Sequence, residues 1–211
     1  MTTIGIVLYD RFTALDAVGP YEVLCRLPGS TVRWIAADRN PVRSDRSLVL
    51  VPDATFDDAP RLDVVLVPGG PGQFDVMNDE RLLGFIRRAA DGARYVTSVC
   101  TGSLLLAQAG LLTGKKATTH WLAMDVLPTL GAEPVRERLV RDGNVWTAAG
   151  VSSGIDLALA LAAELSDERT AQAIQLGIEY DPKPPFDAGA PGKAPADVEQ
   201  MLRENARAFL L

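Results

Sequence analysis

Short apolar runs alternate with amphipathic stretches along most of the chain. The runs are rich in Val and Ile and are bounded by turn residues, a pattern that predicts buried parallel strands. The stretches between them have the spacing and end signals of helices. Because strands alternate with helices, we predict an α/β fold, a three-layer sandwich with a mostly parallel central sheet. The predicted strands are 4–8, 32–36, 64–67, 94–99 and 116–119.

Most of the predicted helices have a recognisable beginning or end. Asn78 or Asp79 caps a helix that runs to about Ala90, and Gly110 closes the helix that begins at Thr101. The stretch 151–165 is apolar on nearly all sides, which predicts deep burial. A further predicted helix begins at Asp16. The remaining predicted helices are 122–130, 167–177 and 196–209, and Ser166 is the predicted cap of the helix 167–177.

Turn residues mark two hairpins and one long irregular segment. Asp142-Gly143-Asn144 separates two short apolar runs and predicts a tight hairpin, and residues 41–52 predict either a second hairpin or a strand with an excursion. Residues 180–195 are too rich in Pro and Gly for regular structure. With no internal repeat and no linker, we predict a single domain, 1–211, in which 180–211 forms an extension that ends in the last helix.

Composition and charge exclude several classes of function. The net charge of −6 gives no basic surface for nucleic acid or for an anionic membrane. Two cysteines, Cys25 and Cys100, form neither a disulfide framework nor a metal-ligand spacing, and Cys25 is expected to pack in the core. No stretch resembles a secretory leader or reaches the length of a membrane span. We expect a cytoplasmic protein.

Cys100 stands where the predicted strand 94–99 runs into a helix with almost no loop. Such a junction is typical of a nucleophile elbow, and a helix N-terminus favours thiolate over thiol. Free cysteines are also among the most buried residues, so this stretch alone fits a core thiol equally well. The loops 9–16 and 68–72 also leave the carboxyl ends of strands, where reactive groups gather in parallel sheets. Their expected convergence favours a reactive Cys100.

Asp16 and a glycine pair are the candidate partners of Cys100. Asp16 either caps its helix or places a carboxyl group beside the thiol, where an apolar cleft would raise its pKa and allow proton exchange near neutral pH. Gly69 and Gly70 permit a sharp turn with exposed N–H groups. We expect the N–H groups of Gly70 and Thr101 to form an anion hole. No Gly-Lys-Ser/Thr follows the glycines, which excludes a phosphate-binding loop.

Four further residues are weaker candidates. His120 is the single histidine of the chain, and it either activates the thiol or packs against Trp121. One histidine also makes a His-rich metal site improbable. Glu22 is expected to be a solvated or packing-support residue, and it is the second choice of acid if Asp16 points away. Gly150 and Val151 lie in a turn that is expected to line a pocket.

Taken together, these motifs resemble the PfpI-type superfamily, flavodoxin-like proteins with a cysteine elbow that are akin to class I glutamine amidotransferases. The resemblance covers residues 4 to about 178. Within the superfamily, the Cys100-Thr101 pair, Asp16 and the segment 175–187 are similar to the isonitrile hydratases. The motifs are Asp16…Gly19-Pro20-Tyr21-Glu22-Val23, Val67-Pro68-Gly69-Gly70, Ser98-Val99-Cys100-Thr101-Gly102 and Thr118-Thr119-His120-Trp121.

This resemblance implies hydration of an isonitrile, R–N≡C, to an N-substituted formamide. Cys100 would add to the isonitrile carbon and form a thioimidate while Asp16 delivers a proton. Asp16 would then act as the base for water, and Thr101 and Gly70 would orient the thiol and the adduct. His120 is not required, and the resemblance implies no metal or organic cofactor. It also implies a homodimer, in which the Pro-rich tail closes the dimer or the pocket.

Two alternative hypotheses use the same fold. A ligand- or oxidation-sensing protein would carry Cys100 as a reactive thiol that is oxidised without turnover of isonitriles. An amidase or peptidase would need His120 within hydrogen-bond reach of Cys100, at about 3.2 Å.

Overall fold

The structure is a computed structural model that describes residues 1–206. Its strands are β1 (Thr2–Val7), β2 (Ser30–Ala36), β3 (Val42–Arg43), β4 (Val49–Leu50), β5 (Ala54–Thr55), β6 (Val64–Val67), β7 (Tyr95–Val99), β8 (Lys116–Ala117), β9 (Glu133–Pro134), β10 (Leu139–Asp142) and β11 (Val145–Ala148). Its α-helices are α1 (Ala14–Leu24), α2 (Gln73–Val76), α3 (Glu80–Ala90), α4 (Gly102–Gln108), α5 (Ser153–Leu165), α6 (Glu168–Gly177) and α7 (Ala196–Glu204), and Trp121–Leu130 forms a 3₁₀ helix.

A seven-stranded sheet with the order β10-β11-β7-β6-β1-β2-β5 forms the centre of the molecule. Its neighbouring strands run parallel, except that β10 and β11 form an antiparallel hairpin at one edge. All four residues of β6 are buried, as a strand covered on both faces requires. The predicted α/β fold with a mostly parallel sheet is confirmed.

The direction of each crossover places the helices on the two faces of the sheet. The chain leaves β1 towards β2 through α1, but it leaves β6 towards β7, in the opposite direction, through α3. Because crossovers between parallel strands are right-handed, α1 and α3 cover opposite faces. α5 packs against α1, and α4 packs against α3, which completes three layers.

Local hydrogen bonding and backbone chemistry explain where the observed elements differ from the predicted ones. The predicted helix 122–130 is a 3₁₀ helix, and Pro128 near its end lacks the N–H that an α-helical turn would use there. The predicted strand 116–119 shrinks to β8, which pairs with β9 outside the central sheet. Asp167, and not Ser166, caps α6, since its Oδ1 accepts a hydrogen bond of 2.8 Å from Thr170 N.

The two hairpins and the cap at Asp79 agree with the predictions. β3 pairs with β4, and β10 pairs with β11 around Gly143. The side chain of Asp79 accepts hydrogen bonds from the first turn of α3. The last predicted helix is described to Glu204, and its predicted end at residue 209 lies outside the described residues.

Cys25 is exposed, so its prediction as a core residue was wrong. α1 ends at Leu24, and Cys25 forms its C-cap with helical dihedral angles. Within residues 1–206, none of the helices has the length and apolar character that a membrane crossing demands.

Candidate active site

Residues from three neighbouring strand ends meet at one edge of the sheet. The loop after β1 leads to Asp16 in the first turn of α1, the loop after β6 carries Gly69 and Gly70, and β7 ends at Cys100. Gly69 N donates a hydrogen bond of 2.9 Å to Asp16 Oδ2. Gly70 N donates one of 3.0 Å to Thr101 Oγ1. The sheet therefore brings together the five residues for which the sequence predicts a common site.

Cys100 has the backbone of a strained turn. Its φ of 57° lies in the left-handed region, which costs a residue with a side chain about 1–2 kcal/mol. Hydrogen bonds hold this conformation, because Cys100 N donates to Ala149 O at 2.8 Å and Cys100 O accepts from Thr119 Oγ1 at 3.0 Å. The strand, the strained residue and the helix that follows form the predicted elbow.

The elbow is possible because glycines let backbones approach closely. A Cβ atom on Gly102 would lie 2.1 Å from Val67 O, and one on Gly69 would lie 2.4 Å from Thr101 N. Neither distance is compatible with a side chain. The loop after β6 is thus pressed directly against the start of α4.

Asp16 is fully buried, and its carboxyl group is held in the uncharged form at neutral pH. Burial raises the pKa of Asp16 from 3.8 to about 8, although the hydrogen bonds from Gly69 and Cys100 lower it in part. Its Oδ1 atom has no conventional hydrogen-bond partner, and the Cys100 thiol is the reactive group that contacts this carboxyl. A pKa of about 8 fits the predicted role of Asp16 as a proton donor near neutral pH.

The environment of Cys100 favours thiol over thiolate, which corrects the expectation from its place at a helix start. Burial raises the pKa of Cys100 well above the ordinary value, and the negative charge of an ionised Asp16 raises it further. The N–H and hydroxyl groups of Thr101 oppose this by donating to the sulfur. Burial of the sulfur has the largest effect on its pKa. The raised pKa values of Asp16 and Cys100 therefore favour the protonated form of both groups.

The anion hole that the sequence predicts from Gly70 and Thr101 does not form in this arrangement. Gly70 N–H is occupied by Thr101 Oγ1, and Gly69 N–H by Asp16. Of these N–H groups, that of Thr101 faces the Cys100 sulfur. Because Thr101 Oγ1 accepts from Gly70, its hydroxyl proton is free to point at the sulfur. The glycine loop orients the reactive side chains instead of offering donors to a ligand.

A cavity of about 640 Å³ lies beside the elbow. Thr119 and Ala149, whose hydrogen bonds hold the backbone of Cys100, are among the residues that line this cavity. Gly150 and Val151 also line it, and a Cβ atom on Gly150 would lie 2.9 Å from the ring of His120. The rest of the lining is largely apolar and includes Leu15, Trp121, Met124, Ala190 and Pro191.

His120 faces this cavity but has no hydrogen bond to Asp16 or Cys100 among residues 1–206. Its Nδ1 accepts a hydrogen bond of 3.3 Å from Leu122 N and so caps the 3₁₀ helix. Burial lowers the pKa of His120 to about 4, so the ring is neutral. A Cys–His dyad is absent from the described part of the chain.

Glu22 lies on the solvent-exposed face of α1, which agrees with the prediction of a solvated residue. It is exposed and forms an ion pair of 2.7 Å with Arg26. Six residues along an α-helix turn the side chain about 120° away from Asp16, which points it to solvent.

Tyr9 is a site residue that the sequence analysis missed, and its place after an apolar run is the one signal that could have indicated it. It is buried, and its hydroxyl donates a hydrogen bond of 2.8 Å to Pro68 O. Burial raises the pKa of Tyr9, and the charges of Asp16 and Cys100 raise it further, which places the ring next to both. Tyr9 thereby anchors the loop that holds Asp16 and Thr101.

Metal ligands are not gathered at this site. Across residues 1–206, no group of three His, Cys, Asp or Glu side chains is placed to hold a metal ion.

Comparison of the sequence and the structure with known proteins identifies a family to which this chain is similar. The sequence profile of the DJ-1/PfpI family matches residues 2–164. An isonitrile hydratase of Pseudomonas putida is 54% identical over 203 residues, which cover 96% of this chain and 89% of that protein. The crystal structure of a ThiJ/PfpI family protein from Pseudomonas syringae is 43% identical and superposes with a TM-score of 0.96, covering 99% of this chain and 87% of the other.

A third relative shows that the same domain occurs in longer proteins. The HTH-type transcriptional regulator GbdR of Pseudomonas aeruginosa is 33% identical over 75% of this chain, but the match covers 45% of the regulator. From its full-length relatives, its family profile and its strained cysteine elbow, we conclude that the chain belongs to the DJ-1/PfpI family.

Proposed function

We propose that the protein is an isonitrile hydratase, which adds water to R–N≡C and releases R–NH–CHO. The observation that carries this proposal is the buried pair of Asp16 and Cys100, a soft nucleophile beside a carboxylic acid with no histidine bonded to either. The similarity to the Pseudomonas putida isonitrile hydratase supports the same assignment.

The first step joins Cys100 to the substrate. The sulfur attacks the terminal isonitrile carbon, while Asp16 gives its proton to that carbon and takes the proton of the thiol. The product is a thioimidate, R–N=CH–S–Cys100, and Asp16 is again protonated. A carboxyl group with a pKa of about 8 suits this exchange, because it is protonated at neutral pH and close enough in acidity to a thiol to accept its proton.

The second step releases the formamide. Asp16 protonates the imine nitrogen and then accepts a proton from the water that attacks the carbon. The resulting R–NH–CH(OH)–S–Cys100 expels the sulfur, and the hydroxyl proton returns to the pair as the C=O bond forms. One water is consumed, and both groups regain their starting protons.

The surroundings of the pair support an uncharged substrate. An isonitrile has no net charge, and the largely apolar cavity beside Cys100 has room for its substituent. Thr101 N–H and hydroxyl would hold the sulfur during attack. We further propose a cytoplasmic homodimer that does not bind nucleic acid, the last point being supported by the net charge of −6.

Turnover of a simple isonitrile tests the proposal. Formamide formation is followed by chromatography for the wild type, Cys100→Ala and Asp16→Asn, with Cys25→Ser as the matched control for an exposed thiol. We expect Cys100→Ala to abolish product and Asp16→Asn to lower the rate roughly 100-fold or more, the usual contribution of acid–base catalysis. Wild-type activity in Cys100→Ala would overturn the mechanism. Oxidation of Cys100 by peroxide without any turnover would favour a sensor instead.

A further inference from the structure

The outer wall of the cavity comes from parts of the chain that are distant from the elbow. Trp121 stands on one side, and residues 189–191 of the Pro/Gly-rich segment stand on another. Residues 189–191 belong to no helix or strand and are exposed on their outer side. Ala190 O accepts backbone hydrogen bonds from Lys193 N at 3.1 Å and Ala194 N at 3.3 Å, which tie this segment to the residues just before α7.

α7 contacts both parts of this wall through two side chains. The guanidinium of Arg203 lies 4.8 Å from the centre of the Trp121 ring. Glu199 accepts a hydrogen bond of 2.7 Å from Arg203 Nη2, and its other oxygen accepts one of 3.0 Å from Gly192 N. The Glu199–Arg203 pair thus links Trp121 to the residue that follows the segment 189–191.

Two arginines, Arg136 and Arg138, also line the cavity. Arg138 lines the cavity, but its guanidinium is paired with Asp156 and donates to Ser152 Oγ at 3.3 Å. Arg136 is likewise paired with Asp125, at 3.9 Å. Both cations have acidic partners, and Glu137 also lines the cavity, so neither arginine is an unpaired charge that would attract an anionic substituent.

We propose that the Glu199–Arg203 pair positions Trp121 and residues 189–191 as the outer wall of the cavity, and that this wall sets the largest substituent that reaches Cys100. The inference rests on the proposed function, because the substituent is that of the isonitrile. Glu199 and Arg203 are positioning residues, since they act through the wall and line no part of the cavity.

Alkylation of Cys100 tests the wall without requiring turnover. In a Cys25→Ser background, mass spectrometry follows the rate of modification by iodoacetamide and by its bulky N-naphthyl analogue. Arg203→Ala removes the contact with Trp121, and Arg203→Lys retains a cation there. Arg87→Ala is the matched control, because Arg87 forms a helix-surface ion pair of 2.6 Å with Glu80 and does not line the cavity.

We expect Arg203→Ala to raise the bulky-to-small rate ratio about threefold to fivefold, the change that corresponds to loss of one exposed cation–π contact. Arg203→Lys and Arg87→Ala should keep the wild-type ratio. Ala190→Leu, which adds bulk inside the wall, should lower the ratio. Equal ratios in Arg203→Ala, Ala190→Leu and the wild type would overturn the inference.

Parallel assays with tert-butyl and naphthyl isonitrile separate this inference from the proposed function. Wild-type turnover of either isonitrile supports the function, and the same change of ratio in kcat/KM then supports the wall. If no isonitrile is hydrated but the alkylation ratio still changes in Arg203→Ala, the proposed function fails and the wall stands as the gate to Cys100.

Discussion

Asp16 is a carboxyl group that the fold removes entirely from water and places against a thiol. Its pKa of about 8 means that the folded protein holds a proton that the unfolded chain releases above 3.8. The unfolded state then binds fewer protons, so stability falls as pH rises between these two values. This loss of stability accompanies the feature that the proposed reaction needs, which is a carboxyl group that is still protonated at neutral pH.

Replacement of Asp16 by Asn removes this pH-dependent cost. We expect Asp16→Asn to have a higher free energy of unfolding than the wild type, by a few kcal/mol at pH 8 and by little at pH 4, at about 1.4 kcal/mol for each unit of pKa. Urea denaturation across this range measures the difference. Parallel pH profiles for the two proteins would contradict the buried ionisation.

The activity of the wild type should also depend on the proton of Asp16. We expect kcat/KM to fall as pH rises through about 8, because the carboxyl loses the proton that the first step requires. Formamide production over a pH series measures this. A profile that instead rises through the same range would show that supply of thiolate limits the reaction.

At the scale of elements, the elbow stores strain at one residue. Cys100 has a φ of 57°, a conformation that glycine adopts freely and alanine does not. We expect Cys100→Gly to be more stable than Cys100→Ala by about 1 kcal/mol, although both lack the thiol. Thermal unfolding of the two variants measures the difference. Equal melting temperatures would mean that the turn relaxes once the sulfur is lost.

Tyr9 connects two elements below the site, since its hydroxyl on the loop after β1 bonds the loop after β6. We expect Tyr9→Phe to lower stability by about 1 kcal/mol, the usual value of one hydrogen bond, and to lower kcat more than it changes KM. Steady-state kinetics with a simple isonitrile separates the two parameters. An effect on stability alone would limit Tyr9 to a structural role.

At the scale of the whole molecule, one glycine sets how closely the helical layer meets the sheet beneath the site. A Cβ atom on Gly154 of α5 would lie 3.1 Å from both Pro20 of α1 and Val99 of β7. We expect Gly154→Val to lower stability by about 1–3 kcal/mol, because added volume forces packed elements apart. Gly84→Val on α3, where the nearest atom is 3.5 Å away, is the matched control and should cost less. Chemical denaturation compares them.

The sequence by itself determined the α/β fold and the position of the elbow. Strands of a parallel sheet that is covered on both faces are apolar throughout, and this pattern is visible in the sequence. A strand that is joined to a helix by a single residue can connect to it only through a sharp turn of the elbow type. The same logic placed Asp16, Gly69 and Cys100 at one edge, because loops after neighbouring parallel strands converge there.

Only the tertiary structure decided how these residues act on one another. Burial depends on every layer of the fold, so the sequence could not show that dehydration outweighs the helix start at Cys100, or that Cys25 faces solvent. In the folded chain the N–H of Gly70 donates to Thr101 Oγ1, a residue distant in sequence, and is therefore not directed at a ligand. The direction in which a side chain points and the depth at which it is buried depend on contacts between distant parts of the chain, and the local sequence does not determine them.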